Sequence, residues 1–165
     1  LVTASYLNGN IRDAGNFLLS VPAALLRQSV AQSIPNGVWT PVTFDTEDLD
    51  RDSGHSTVTN TGRYTAQTPG FYLFLYTVGF ALNTSGRRQV RMRANGADAI
   101  VTAIGQDTRT ALASWETSAN GCGFAYLNGS SDYVETIGFQ DSGGALNTFV
   151  ASYGSPRMQC LWISS

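Results

Sequence analysis

Lysine is absent from this chain of 165 residues: all ten basic residues are arginine, and His55 is the single histidine. Charged residues make up 13% of the chain, about half the usual ~25% share, so the surface must be built from Ser, Thr, Asn, Gln and Gly. With a net charge of −2 and a pI near 5.2, nucleic acid and anionic membrane surfaces are poor partners. Cysteine is scarce too. Cys122 and Cys160 lie far apart with no Cys-x-x-Cys spacing, and one histidine cannot complete a zinc site of the usual kind. They form either a disulfide or, as a domain of this size favours, two buried free thiols. No apolar run reaches the length of a membrane-spanning helix, and no repeat of solenoid or propeller period occurs. The first residue is Leu1 rather than methionine, so an upstream piece is expected.

What is present is a good supply of core. Apolar residues account for 42% of the chain, enough for one domain without covalent staples. Residues 1–33 differ from the rest and read as an arm. Ser20 as N-cap and Pro22 in the first turn predict a short helix running through Ala23, Leu25, Leu26 and Val30. From Val38 onward the pattern is strand, turn, strand. "VWTPVTF" is β-branched and aromatic, with Pro41 restricting it to an edge or a bulge. "FYLFLYTVGFAL", bounded by Pro-Gly and Asn-Thr-Ser-Gly, reads as a strand over 71–82. Both of its faces are apolar: Phe71, Leu73 and Leu75 on one, Tyr72, Phe74, Tyr76 and Phe80 on the other. Such a strand must be covered on both sides.

"RRQVRMRANG" alternates cleanly, with Val90, Met92 and Ala94 inward, and closes in an Asn-Gly turn. Further strands are expected at 98–104, 110–117, 122–127, 132–140 and 157–163, separated by turn signals. Eight to ten short strands without crossover helices predict an all-β antiparallel sandwich of jelly-roll or Greek-key type.

The order of these elements carries a resemblance. "PNGVWTPVTFDTEDLDRDSGHS", "RYTAQTPGFYLF", "VRMRANG", "YLNGSSDYVETIGFQDSG" and "RMQCLWI" together resemble the globular head of the complement C1q/tumour-necrosis-factor superfamily over about 38–165. Ser130-Ser131 before Asp132-Tyr133-Val134 depart from the family's Gly-Asp-Tyr-Val turn. The resemblance implies a jelly-roll domain, taken as 34–165, and a homotrimer packed about a threefold axis. Tyr72, Phe74, Tyr76 and Phe80 are the candidate interface residues. The opening segment, through Thr3, Ala4, Asn8, Ile11, Arg12, Asp13 and Ala14, resembles the start of virion proteins of actinobacterial phages and prophages. That implies an attachment or oligomerisation arm over 1–33, with Ile11, Arg12, Phe17 and Leu18 as candidates for contact with other virion proteins.

Four clusters invite a chemical reading. Asp45, Glu47, Asp48, Asp50 and Asp52 crowd into "DTEDLDRD". Asp48, Asp50 and Asp52 mimic the opening of an EF-hand, but Ser53 and Thr59 stand where its glycine and glutamate are required, so only a non-EF calcium site survives beside a solvated loop. As a glycosidase pair these carboxylates lack the protonated/ionised asymmetry that the reaction needs, and His55 has no nucleophile beside it. Arg87, Arg88, Arg91 and Arg93 suit an anion or acidic glycan, or else are the outward side of a strand that pairs with acidic residues across a trimer interface. Trp39, Trp115 and Trp162 lie in strand-like segments where burial is the common fate. Arg91, Arg93, Gln140 and Asp141 are the candidate ligand contacts. The expectation is therefore a non-enzymatic structural protein of a phage or phage-like particle, without cofactor, exposed on the virion surface. It would be a trimeric knob for tail-tip adhesion or capsid decoration. The alternative is a lectin-like module binding a host cell-wall glycan.

Overall fold

The computed structural model describes residues 2–97, 103–151 and 153–165. One helix, α1 (Ala4–Leu19), precedes the strands β1 (Ala23–Arg27), β2 (Ser33–Ile34), β3 (Thr40–Pro41), β4 (Thr46–Asp50), β5 (Arg63–Thr65) and β6 (Pro69–Phe80). The chain continues through β7 (Arg87–Ala94), β8 (Ala103–Thr110), β9 (Thr117–Asn128), β10 (Tyr133–Gln140), β11 (Leu146–Asn147) and β12 (Arg157–Ser164). One sheet runs β4-β1-β12-β6-β9. The other runs β3-β10-β7-β8 with β5 also on β10, and β2 pairs with β11. Neighbours in each sheet are antiparallel and mostly distant in sequence, as in a jelly roll.

The core lies between the two sheets. Tyr72, Phe74, Tyr76, Val78 and Phe80 from β6 meet Val90 and Met92 from β7, with Leu26, Phe44, Tyr64 and Met158 closing the ends. Each large apolar side chain buried here contributes roughly 1.5–3 kcal/mol. Gly121 lies opposite Tyr76 in the β6–β9 register, and any Cβ there would overlap the Tyr76 ring. The glycine is what lets that ring lie flat against β9. The Asn-Gly turn forms as expected: Asn95 (φ 54°) and Gly96 (φ 69°) both adopt positive φ after β7, the requirement of the hairpin turn that matches strand twist.

The helix is the main departure from expectation. Residues 20–30 do not form one; α1 lies earlier, capped by the Thr3 side chain accepting from the Tyr6 N–H at 3.1 Å. Pro22 disfavours helical geometry at Val21. Ala23–Arg27 is instead claimed by hydrogen bonds from both neighbours, β12 and β4, and that pairing overrides the modest helix propensity of Ala and Leu. The sandwich therefore takes in a stretch read as arm. No residue of α1 is buried, and its two glycines, Gly9 and Gly15, each cost about 1 kcal/mol relative to alanine.

The acidic stretch is likewise a strand rather than a loop. β4 is the outer strand of its sheet, and charge on an edge discourages pairing with foreign strands. The strand expected over 110–117 is a loop at 111–116: β8 ends at Thr110, and the Leu112 N–H donates to Thr117 Oγ1 at 3.1 Å where β9 begins. Trp115 on that loop is exposed rather than buried. The strand expected at 98–104 lies mostly outside the described residues. No helix among the described residues is long and apolar enough to cross a membrane.

Candidate functional site

Strand alternation delivers two apolar faces from β6, and the tertiary structure decides which one is covered. Tyr72, Phe74, Tyr76 and Phe80, expected at an intersubunit contact, fill the core of the sandwich with at most 3% exposure. The uncovered set is the other one. Phe71 and Leu75 are 47% and 44% exposed. Cross-strand register places Tyr126 beside Phe71, Phe124 beside Leu73, and Cys122 beside Leu75 on β9. On the opposite flank Leu161 of β12 pairs with Leu73, and Ile163 follows. Leu25 of β1 and Leu49 of β4 extend the surface to the sheet edge. A shallow apolar depression of about 300 Å³ lies among Ala23, Leu25, Leu49, Leu73, Leu75 and Leu161. Cys122, expected to be buried, is exposed on this face, whereas Cys160 is buried, and both are free thiols.

The face is graded. Its aromatic end carries Phe71, Tyr126 and Ile163. At the other end Thr77 Oγ1 donates to Asn120 Oδ1 at 2.8 Å, Arg27 and Arg157 are cross-strand neighbours, and Arg27 Nε donates to Asp48 at 2.9 Å. A contiguous apolar surface on this scale marks an interaction site in a folded protein.

The carboxylates of the acidic strand are distributed among separate internal partners. Asp45 accepts from the Ser29 and Val30 N–H groups at 2.7 and 2.9 Å. Burial alone would raise its carboxyl, but those hydrogen bonds and one from Thr46 outweigh it and hold it below the ordinary range. Asp48 holds Arg27, and Asp50 accepts from the Gly54 and His55 N–H groups. Asp52 accepts from Tyr64 Oη at 2.8 Å, its carboxyl raised by burial and further by Asp50. Among the described residues no three His, Cys, Asp or Glu side chains gather as a metal site.

His55 is 9% exposed, with Nδ1 2.7 Å from the Arg63 carbonyl oxygen and Nε2 3.1 Å from that of Phe44. Both ring nitrogens are occupied in pinning the 44–63 segment. Burial pushes the Cys160 thiol up to about 12, so it is no nucleophile at neutral pH.

The arginines and the polar loop also turn inward. Arg63 and Arg93 clamp Glu135 from two sides, Nε to carboxylate at 2.9 and 2.8 Å. Arg91 lies 4.2 Å over the Trp39 ring and Arg63 lies 4.0 Å over Tyr133. Arg87 holds Asp141 at 2.9 Å, keeping that carboxyl below its ordinary range chiefly through the Arg87 N–H. Arg87 and Arg93 of β7 thus find their carboxylates in or just after β10 rather than in the acidic strand. Gln140, a candidate ligand contact, is fully buried: its amide donates to the Ile34 and Gly144 carbonyls and its oxygen accepts from Ser142.

Arg88 was legible only as part of a cluster, yet among the described residues it is the largest fully buried side chain. It donates to the Asn83, Ser85 and Arg87 carbonyls at 2.9–3.0 Å, closing the loop between β6 and β7. Burial lowers its pKa, partly offset by Asp141. Arg88→Ala leaves three carbonyls without this donor and a void beneath the loop, and is expected to cost about 3 kcal/mol. Chemical denaturation of wild type and variant checks this.

These features define the class: a TNF-like jelly roll with one apolar face left open. Murine APRIL at pH 8.0 shares the fold with TM-score 0.63 and 14% identity, over 85% of this chain and 98% of that one. The pH 5.0 structure of murine APRIL gives 0.61 and 16% over the same shares. Eiger TNF from S. frugiperda gives 0.57 and 14%, over 87% of this chain and 94% of that one. An uncharacterised protein of Acanthamoeba polyphaga mimivirus is 30% identical over 118 residues, 70% of this chain and 50% of that protein. The chain therefore spans about half the length of this viral relative. No family model matches the chain.

Proposed function

We propose that the chain is a non-enzymatic structural module of a virus particle, a homotrimeric knob whose three protomers pack through the open face of the β4-β1-β12-β6-β9 sheet. The observation that carries this reading is the uncovered apolar surface centred on Phe71, Leu73 and Phe124. Left wet in a monomer it is an aggregation liability; turned toward a threefold axis it becomes a core between protomers. Similarity to a mimivirus protein supports a viral setting, and the phage-like opening segment suggests a phage or prophage particle. In this reading α1 and its flanks join the knob to other virion proteins, and the knob serves adhesion at a tail tip or decoration of a capsid surface.

Sedimentation equilibrium tests the central statement. A mass of three chains, unchanged on dilution to micromolar concentration, is the expected result, and a monomer at all concentrations overturns it. The lectin-like alternative would use the Trp39–Arg91 region of the outer sheet; saturable binding to isolated host cell wall that Trp39→Ala removes would favour it.

A further inference from the structure

The exposed helix carries a pattern that the knob does not use. Ala4, Leu7, Ile11, Ala14 and Leu18 follow one another at spacings of three, four, three and four. That is the 3.5-residue period of a helix seam packed against other helices. A helix lying on its own sandwich would bury such a stripe. Here Ile11 and Leu18 are 66% and 72% exposed and nothing on α1 is buried. We propose that α1 self-associates along this seam, forming a parallel coiled coil of three copies continuous with the knob. This rests on the trimeric reading above.

Three observations favour copies of this helix over a different partner. First, the seam is uncharged. The only charged residues of α1, Arg12 and Asp13, pair with each other at 2.9 Å on the flank away from it. Identical seams then meet without like-charge repulsion, whereas an ionic partner would find no complement there.

Second, the helix is tethered at its last turn. The Phe17 ring stands edge-on to Trp162 at 4.8 Å. Trp162 is fixed in turn by its indole N–H donating to the Pro69 carbonyl and its backbone N–H to that of Pro22. Pro69 opens β6, two residues before Phe71 at the aromatic end of the open face. Threefold packing of that face therefore puts three tethered helix ends at the same end of the knob, with the same sense along the axis. Symmetry makes the seams parallel and in register.

Third, a sixteen-residue helix with two interior glycines is marginal in water unless something covers it. Its partners are already delivered by the knob. The mixture of Ala, Ile and Leu on the seam does not select a strand number by itself, so the knob sets three. Ile11 and Leu18 are thereby assigned to self-association, and Arg12 remains on the outside for contacts with other proteins.

Disulfide trapping in the whole chain tests this. In a Cys122→Ser background, Ile11→Cys places a thiol on the seam and Asn16→Cys places one on the opposite side of the same helix. After oxidation with diamide, Ile11→Cys is expected to run as a covalent dimer on a denaturing gel, at least tenfold more than Asn16→Cys. Three chains supply one bridged pair and one free thiol. Sedimentation of the same samples separates the outcomes. A trimer in which the two cysteines cross-link equally, or not at all, overturns the coiled coil and leaves the trimeric knob standing. A monomer without cross-links overturns both. A species joined only through Ile11→Cys as a dimer supports the seam and sinks the threefold knob.

Discussion

Phe124→Asp is expected to turn the trimer into a folded monomer. Phe124 is 63% exposed in the single chain and packs laterally beside Leu73 on the open face. Within one protomer the substitution removes little buried area, and exposed positions of this kind usually change stability by no more than ~0.5 kcal/mol. In the assembled knob the same position would bury three carboxylates in an apolar contact among Phe71, Leu73 and Tyr126. Arg27 and Arg157 lie at the polar end of that face, away from Phe124. Central aromatic residues of an interface typically carry ~2 kcal/mol or more each, and a desolvated unpaired charge adds to that loss. Repeated at three symmetric contacts, this is expected to raise the dissociation concentration by more than a thousandfold. Far-ultraviolet circular dichroism should retain the β signature while sedimentation reports one chain. A soluble Phe124→Asp trimer would show that the protomers meet elsewhere.

Phe74→Asp is expected to abolish folding altogether, although Phe74 is the chain neighbour of Leu73 on the open face. The Phe74 ring is fully buried and stacks on Tyr72 at 6.1 Å between centroids. Truncating a buried Phe to Ala costs ~3–5 kcal/mol, and an aspartate there must in addition be buried without a partner or protonated. A domain of this size holds only ~5–15 kcal/mol in total. Expression in inclusion bodies, or a soluble product lacking a cooperative thermal transition, is the expected result. A cooperatively folded, soluble Phe74→Asp protein would mean that the inward and outward faces of β6 have been exchanged. The two variants thus read the parity of one strand: one position controls assembly, the other folding.

Much of the architecture was legible in the chain. Periodicity two over 71–82 and 88–94, the Asn95-Gly96 turn and the apolar runs at 132–140 and 157–163 all correspond to strands or turns of the jelly roll. These signals are local: turn chemistry and side-chain alternation are set by the residues themselves. The failures are equally instructive. Ala23–Arg27 has the composition of a helix and becomes a strand because β12 and β4 offer it hydrogen bonds along both edges. The acidic run at 45–52 has the composition of a solvated loop. Its central part, Thr46–Asp50, becomes an edge strand because β1 pairs with it, while Asp45, Asp48 and Asp52 find internal partners in the Ser29 and Val30 amides, Arg27 and Tyr64. Arg88 and Gln140 look like surface polar residues and are buried: the terminal guanidinium nitrogens of Arg88 and the amide of Gln140 donate to carbonyls of loops that exist only once the sheets have packed.

By itself, the sequence determined an all-β sandwich and a long strand apolar on both faces, whereas its only helix signal fell on 20–30, where the structure has the strand Ala23–Arg27. The first two follow from spacing, which needs no knowledge of neighbours. Tertiary structure alone decided which face of that strand is core. Alternation sorts β6 into two apolar sets without saying which set is inside. The second sheet, the space that Gly121 leaves for Tyr76, and the packing of β7 select Tyr72, Phe74, Tyr76 and Phe80. Phe71, Leu73 and Leu75 are left facing outward because the strands on either side of them, β9 and β12, present Phe124, Tyr126, Leu161 and Ile163 to the same open side.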